Sequence, residues 1–149
     1  MRSNRSWLPE AALVLGLTGL AATLRMYQLE DLPPGLHGDE AIAGIFAQRI
    51  LREGWIGPYV NYALGGPAGL LYAMAGVFKL FGVSPFTVRL TTALLGTAAV
   101  PLMYLLGRQM FNRRVGLIAA SLLAASYWHI HFSRIAHPVP PTMAKPPCG

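Results

Sequence analysis

Two segments of the chain, residues 90–106 and 115–132, contain no Asp, Glu, Lys or Arg and consist mostly of apolar side chains. An α-helix needs about 20 residues to cross the hydrocarbon of a bilayer. Both segments are close to this length, and residues 85–88 lengthen the first one further. The whole chain is 54% hydrophobic and only 12% charged, whereas about a quarter of the residues in a soluble domain are charged. The sequence therefore predicts a membrane protein.

The net charge of +6 does not indicate a nucleic-acid-binding protein. The basic residues stand singly or in small groups at the ends of the apolar segments, which is where membrane proteins carry positive charge. A nucleic-acid-binding domain would instead gather them on one face. The single cysteine, Cys148, excludes a disulfide framework and a multi-cysteine metal site.

A first apolar segment covers residues 7–27 and includes Pro9, Glu10 and Arg25. It just reaches the length of a membrane span. The alternative is a cleaved signal peptide, because the charge-free core at 11–24 is short and is interrupted by small residues. We favour an uncleaved signal anchor, whose helix would form a wall of the site that follows.

Five of the six carboxylates lie between residues 30 and 53. Pro33, Pro34 and Gly35 end any helix before them, and Asp39 then stands at a predicted helix N-cap, with Glu40 in the first turn. An amphipathic helix of about fourteen residues is predicted from here to Gly54, with its apolar face at Ile42, Ile45, Phe46 and Ile50. It is too short to cross a bilayer and is predicted to lie in the membrane interface. The concentration of negative charge predicts a functional site in this loop.

Residues 67–82 form a second short apolar segment, which contains Lys79. As a helix it would be about 24 Å long, less than the roughly 30 Å of hydrocarbon in a bilayer. The aromatic residues before it, at 55–62, suit the headgroup level of a membrane. Small residues in the last apolar segment predict close helix packing; they are Gly116, Ala119, Ala120, Ala124 and Ala125.

The basic residues predict a topology. Arg2 and Arg5 precede the first span, and Arg108, Arg113 and Arg114 follow the second; both groups are expected in the cytoplasm. An even number of crossings must then separate them, so residues 67–82 are predicted to lie in the interface and the acidic loop on the outer face. The predicted fold class is all-α: a multi-pass protein of the inner or plasma membrane with about three transmembrane helices and two interfacial amphipathic helices.

The segment 138–149 contains five of the twelve prolines and has no periodicity. It is predicted to be a disordered or aberrant Pro-rich tail. Residues 1–137 are predicted to be the N-terminal part of one transmembrane domain, and the chain is expected to be an incomplete copy of a longer enzyme.

The order of short motifs along residues 8–136 is informative although each motif is weak alone. These motifs are Leu32-Pro33-Pro34-Gly35 before Asp39-Glu40-Ala41, the helix over 42–54, Gly66-Pro67, Leu80-Phe81-Gly82, Arg89-Leu90, Leu106-Gly107-Arg108 with residues 111–114, and His131-Phe132-Ser133-Arg134. The set resembles the N-terminal part of GT-C membrane glycosyltransferases, in the branch of protein O-mannosyltransferases and aminoarabinose transferases.

This resemblance implies that a sugar is transferred from a polyprenyl-phosphate donor to a protein or glycolipid acceptor on the periplasmic or extracellular face. Transfer needs a base that accepts a proton from the attacking group. The resemblance puts that role on Asp39, and Glu40 would orient the acceptor or a neighbouring cation. The alternative is that Asp39 only caps a helix, which is worth about 1 kcal/mol.

The predicted substrate-binding residues are Arg89, Lys79, Arg134, His37 and Tyr62. A guanidinium can hold a phosphate through two hydrogen bonds; the alternative is an interfacial anchor for Arg89 and a structural pair for Arg134. A lysine at a helix end, such as Lys79, more usually extends its ammonium group to the interface. The family often has a basic residue before the proline that opens the second interfacial helix; here that residue is Gly66, which moves the expected phosphate contact to Arg89. No cofactor is predicted, and a divalent cation, although possible, is not indicated.

Two other functions stay open from the sequence. The first is an inactive truncated fragment. The second is a small structural membrane subunit that only packs against partner helices. A transporter is less favoured, because no predicted span carries a charge at its centre.

Overall fold

The computed structural model describes residues 8–29, 34–35, 38–60 and 66–136. Over these residues the chain is helical apart from one short hairpin, which confirms the all-α class. The elements in order are α1 (Leu8–Met26), α2 (Gly38–Glu53), β1 (Tyr59–Val60), β2 (Gly66–Pro67), α3 (Gly69–Phe81), α4 (Pro85–Met110), α5 (Arg113–Ala125) and α6 (Tyr127–Arg134).

The chain divides into two compact units. The first unit contains Met1–Leu29 and Thr92–Arg134, and the second contains Glu30–Thr91 and Ile135–Gly149. Helix α4 therefore contributes its first two turns to the second unit and the rest to the first.

Among the described residues, α4 is the one helix that is by itself long and apolar enough to cross a membrane. Its 26 residues correspond to about 39 Å. Residues 113–134 do not form one straight helix: α5 and α6 meet at 56°, because Ser126 between them has an extended backbone, with φ −62° and ψ 116°. The span over 115–132 therefore stays a prediction. The count of three spans stays a prediction.

In the second unit, α2 packs against α3 through its small residues. The buried positions of α2 are Glu40, Ala43, Gly44, Ala47 and Ile50. Ile45, which the sequence pattern placed on the apolar face, is 63% exposed. Small residues let two helix backbones approach closely, and α3 fills the space with Leu71, Met74, Ala75 and Phe78.

The segment before α3 is more ordered than its aromatic composition suggested. Strands β1 and β2 pair antiparallel, with Val60 opposite Gly66, so α3 begins at Gly69 rather than at Pro67. The Tyr72 hydroxyl accepts from the Ile56 N–H at 2.9 Å and donates to the Gly57 carbonyl at 3.0 Å. Helix α3 therefore anchors the residues that follow α2.

In the first unit, the core contains Ala21, Val100, Tyr104, Ala120 and Ala124. Helices α4 and α5 come together at two glycines: a Cβ on Gly107 would lie 2.8 Å from the Gly116 Cα, and one on Gly116 would lie 2.7 Å from the Tyr104 carbonyl oxygen. The packing role predicted for the small residues of α5 is confirmed at its three buried positions, Gly116, Ala120 and Ala124. Asn112 caps α5 by accepting from the Val115 N–H at 3.0 Å.

Candidate functional site

The carboxylate pair lies in the first turn of α2, which begins at Gly38. Asp39 is therefore inside the helix rather than at its N-cap; the helix begins two residues earlier than predicted, a difference that is common at helix ends. Asp39 is exposed, whereas Glu40 is fully buried. Successive helix residues point about 100° apart, so the two adjacent carboxylates have opposite environments.

Glu40 forms a buried ion pair with Arg89. Its Oε1 lies 3.2 Å from Arg89 Nε and its Oε2 lies 3.3 Å from Nη2. Their side chains are 0% and 3% exposed. The Ala136 N–H donates to Oε1 at 3.2 Å, and Arg89 also donates to the carbonyl of Gly35. The pair thus joins α2, the start of α4, the turn at Gly35 and the chain after α6.

These contacts bear on two sequence-based predictions. Glu40 was expected to orient an acceptor or a neighbouring cation, and the structure places the guanidinium of Arg89 beside it. The same guanidinium was the favoured phosphate contact. Within the second unit Arg89 donates hydrogen bonds to Glu40 and to the carbonyl of Gly35, and its contact with a phosphate stays a prediction.

Two grooves flank this ion pair in the second unit. The larger, of about 290 Å³, begins at Glu40 and is mostly apolar; its other lining residues are Ala41, Gly44, Ile45, Gln48, Phe78, Val83, Ser84, Pro85 and Val88. The smaller, of about 260 Å³, is lined by Ser84, Pro85, Phe86 and Arg89. The larger groove is therefore a mostly apolar surface beside the buried side chain of Glu40.

Two of the other predicted substrate-binding residues, Lys79 and Arg134, lie in described segments of the chain. Lys79 is exposed in the last turn of α3. Arg134 belongs to the first unit, where it donates to the carbonyls of Leu24 and Gln28 at 3.1 and 3.3 Å and so caps the C-terminal end of α1. His37 and Tyr62 lie outside the residues that the structure describes.

The sequence did not predict a buried cluster around Arg25 in the first unit. Arg25 is fully buried and its Nη2 lies 2.8 Å from Nδ1 of His129. An arginine can only donate, so Nδ1 is the acceptor and the imidazole carries its proton on Nε2. Arg25 also donates to the carbonyls of Ala21 and Leu123. In the sequence, this cluster is indicated only by one arginine near the end of an apolar segment and one histidine in another apolar segment.

A second unpredicted cluster surrounds Glu10, also in the first unit. Its Oε1 lies 2.8 Å from Arg108 Nη1, and its Oε2 lies 3.5 Å from Arg113 Nε. The carboxylate is 7% exposed, while the two arginine side chains are 50% and 44% exposed. In the sequence, this cluster is indicated only by a single acidic residue at the start of one apolar segment and by the basic residues that follow another.

No group of three or more metal-binding side chains occurs among the described residues.

No curated protein and no solved structure matches the chain significantly. A family profile described as dolichyl-phosphate-mannose-protein mannosyltransferase matches residues 66–144, which is 79 of the 149 residues. The match begins at β2 and continues through α6, and Asp39 and Glu40 precede it. The chain belongs to the family of dolichyl-phosphate-mannose-protein mannosyltransferases, which are glycosyltransferases of the GT-C type.

Proposed function

We propose that this membrane protein takes part in transferring a sugar from a polyprenyl-phosphate donor to a protein or glycolipid acceptor, with Asp39 as the general base. Family membership supports the class of reaction. The observation that carries the choice of residue is the contrast within the carboxylate pair: Asp39 is exposed and Glu40 is fully buried.

The proposed chemistry needs one carboxylate that an acceptor can reach. As the acceptor hydroxyl or amide attacks the anomeric carbon, Asp39 takes its proton, the bond from that carbon to the phosphate oxygen breaks, and the polyprenyl phosphate leaves. Proton transfer to a positioned side chain contributes about 10²–10⁴-fold to a rate. Glu40 is unsuited to this step, because both of its oxygens already accept hydrogen bonds in a buried position.

Glu40 is proposed as a positioning residue. Its ion pair with Arg89 fixes the first turn of α2, and this is the turn from which Asp39 projects. A base held on a fixed helix turn needs less reorganisation as the substrate binds.

The apolar groove beside Glu40 supports a lipid-linked substrate. It continues along α2 through Ala41, Ile45 and Gln48, and the exposed Ile45 offers apolar surface next to the carboxylates. In this proposal the groove takes the first apolar units of the donor lipid, and Asp39 faces the acceptor. The N-terminus is proposed to be cytoplasmic and the Asp39 turn to lie on the outer face of a multi-pass protein.

The experiment is a transfer assay on membranes that contain the full chain and a labelled polyprenyl-phosphate mannose. Asp39→Asn keeps the size of the side chain and removes the base. The matched control is Glu53→Gln, which makes the same chemical change at an exposed carboxylate of the same helix. We expect Asp39→Asn to lower the transfer rate by about 100-fold or more and Glu53→Gln to leave it within twofold.

Equal transfer by wild type and Asp39→Asn would remove Asp39 from the mechanism. Absence of transfer by the wild-type chain in membranes that hold both donor and acceptor would contradict an enzymatic role for these 149 residues. Cysteine labelling at Val83, just before α4, and at Gln109, in its last turn, tests the topology, since nearly the whole helix separates them. Labelling of both from one side would contradict the proposed crossing.

A further inference from the structure

The first unit contains a groove of about 380 Å³ that has no part in the proposed transfer. Its volume lies within the range of about 300–1,000 Å³ that is usual for ligand sites. Helix α1 contributes Glu10, Ala11, Val14 and Leu15, and α4 contributes Pro101, Tyr104, Leu105 and Arg108. Glu10 is the first of the α1 residues, Arg108 is the last of the α4 residues, and the two are in contact. The groove therefore has charged groups at one end and apolar walls along the rest.

The charged end carries more positive than negative charge. Arg108 and Arg113 share the one carboxylate of Glu10, and about half of each arginine side chain is exposed. A guanidinium has five N–H donors, so both arginines keep donors for another anion. Helix α5 begins here with Arg113 and Arg114 and has no acidic residue in its first turn. Since a helix N-terminus is itself electropositive, this end of the groove favours an anion.

A buried hydroxyl supports the same conclusion independently. Tyr104 lines the groove and is 4% exposed, and its hydroxyl has no hydrogen-bond partner among the residues that the structure describes. Tyr104 and Arg108 are four residues apart on α4, so their side chains lie on the same face. Buried polar atoms are nearly always hydrogen-bonded. A buried donor of this kind on the face of α4 that carries Arg108 indicates a ligand with acceptor oxygens.

We propose that this groove binds an anionic glycerophospholipid. The phosphodiester is held by Arg108 and Arg113, Tyr104 donates to an oxygen of the headgroup or glycerol, and one acyl chain lies along Ala11, Val14, Leu15, Pro101 and Leu105. The net positive charge of the cluster complements the single negative charge of the phosphodiester. A soluble phosphate would leave the apolar walls exposed, which is why the occupant is a lipid. This site does not depend on the role of Asp39.

The test is native mass spectrometry of the full chain in detergent, with equal amounts of dioleoyl phosphatidylglycerol and dioleoyl phosphatidylcholine. We expect about tenfold more phosphatidylglycerol bound to the wild-type chain. Arg108→Gln is expected to reduce that binding about tenfold. Arg114→Gln is the matched control, because it removes the same charge from an exposed neighbour that does not line the groove; it is expected to stay within twofold.

Tyr104→Phe decides the case if Arg108→Gln destabilises the fold by leaving Glu10 without its partner. It removes only the unpartnered oxygen, so we expect unchanged thermal stability together with about fivefold weaker phosphatidylglycerol binding. Dihexanoyl phosphatidylglycerol is expected to bind at least tenfold more weakly than the dioleoyl lipid, because its chains are too short to cover the walls.

Three results would overturn the proposal. The first is equal binding of phosphatidylglycerol and phosphatidylcholine. The second is an Arg114→Gln effect as large as that of Arg108→Gln, which would indicate diffuse charge attraction. The third is a Tyr104→Phe variant that binds like the wild type, or no dependence on acyl-chain length.

Discussion

Among the described residues, two clusters in which a buried glutamate meets arginine differ in the exposure of the arginine. In the second unit, Glu40 and Arg89 are 0% and 3% exposed, and both glutamate oxygens accept hydrogen bonds. In the first unit, Glu10 is also buried, at 7% exposed, but Arg108 and Arg113 are 50% and 44% exposed. The same pair of chemical groups is thus enclosed at one place and open at the other.

This difference separates structural positioning from ligand binding. In an enclosed ion pair, internal hydrogen bonds offset the free-energy cost of removing the two charges from water. Removal of one partner therefore leaves a buried charge. An open pair keeps hydrated donors, contributes less to stability and can accept an additional anion. Glu40 therefore positions the first turn of α2, whereas the Glu10 cluster keeps binding capacity.

The largest loss of stability is expected from Glu40→Gln. This change removes the negative charge beside the buried Arg89 guanidinium and is expected to lower the free energy of unfolding by about 3–5 kcal/mol. The measurement is chemical unfolding of the full chain in detergent, followed by circular dichroism. Glu53→Gln, which removes an exposed pair with Arg49, is the control and is expected to cost less than about 1 kcal/mol. Equal losses for the two variants would contradict the comparison.

A smaller loss is expected when the open cluster is disturbed through its backbone. In Gly116→Ala the new Cβ would lie 2.7 Å from the Tyr104 carbonyl oxygen and 2.9 Å from the Arg108 backbone nitrogen. Helix α5 must move away from α4, at an expected cost of about 1–3 kcal/mol. Gly44→Ala in α2 is the matched control: its Cβ would meet only Val88, at an ordinary 3.5 Å, so unfolding should be unchanged or slightly harder. A Gly44→Ala loss as large as that of Gly116→Ala would contradict this packing.

The smallest loss of the three is expected from Glu10→Gln. The two arginines remain half-exposed and hydrated, so about 1–2 kcal/mol is expected. Because the pair is open, this loss should shrink as salt is raised from low concentration to about 0.5 M, whereas the Glu40→Gln loss should not. Unfolding curves at the two salt concentrations measure both effects. A salt-independent Glu10→Gln loss would show that the cluster is enclosed after all.

Local features of the fold could be predicted from the sequence. The helix after Pro33, Pro34 and Gly35, its end near Gly54, and the apolar helix α4 all follow from turn residues and segment hydrophobicity. The apolar face of α2 could not be predicted correctly, since Ile45 satisfies the helical period but is exposed. Helix α3 packs against the small residues of α2 instead, and which face of α2 is buried depends on this tertiary packing.

The ion pairs of the candidate sites could not be predicted for a different reason. Glu40 and Arg89 are 49 residues apart, and Glu10 and Arg108 lie in different apolar helices. A sequence pattern reports neighbours within one helix and carries no information on contacts between distant segments. The bend at Ser126 could not be predicted either, because one serine in an apolar segment is also compatible with a continuous helix.

The central claim is that Asp39 acts in chemistry while Glu40 maintains structure, and it is tested most directly by measuring transfer and unfolding on the same preparations. The account predicts that Asp39→Asn lowers sugar transfer by about 100-fold or more while its free energy of unfolding stays within about 1 kcal/mol of the wild type. A variant that transfers sugar like the wild type, or one that loses several kcal/mol of stability together with its activity, would contradict it.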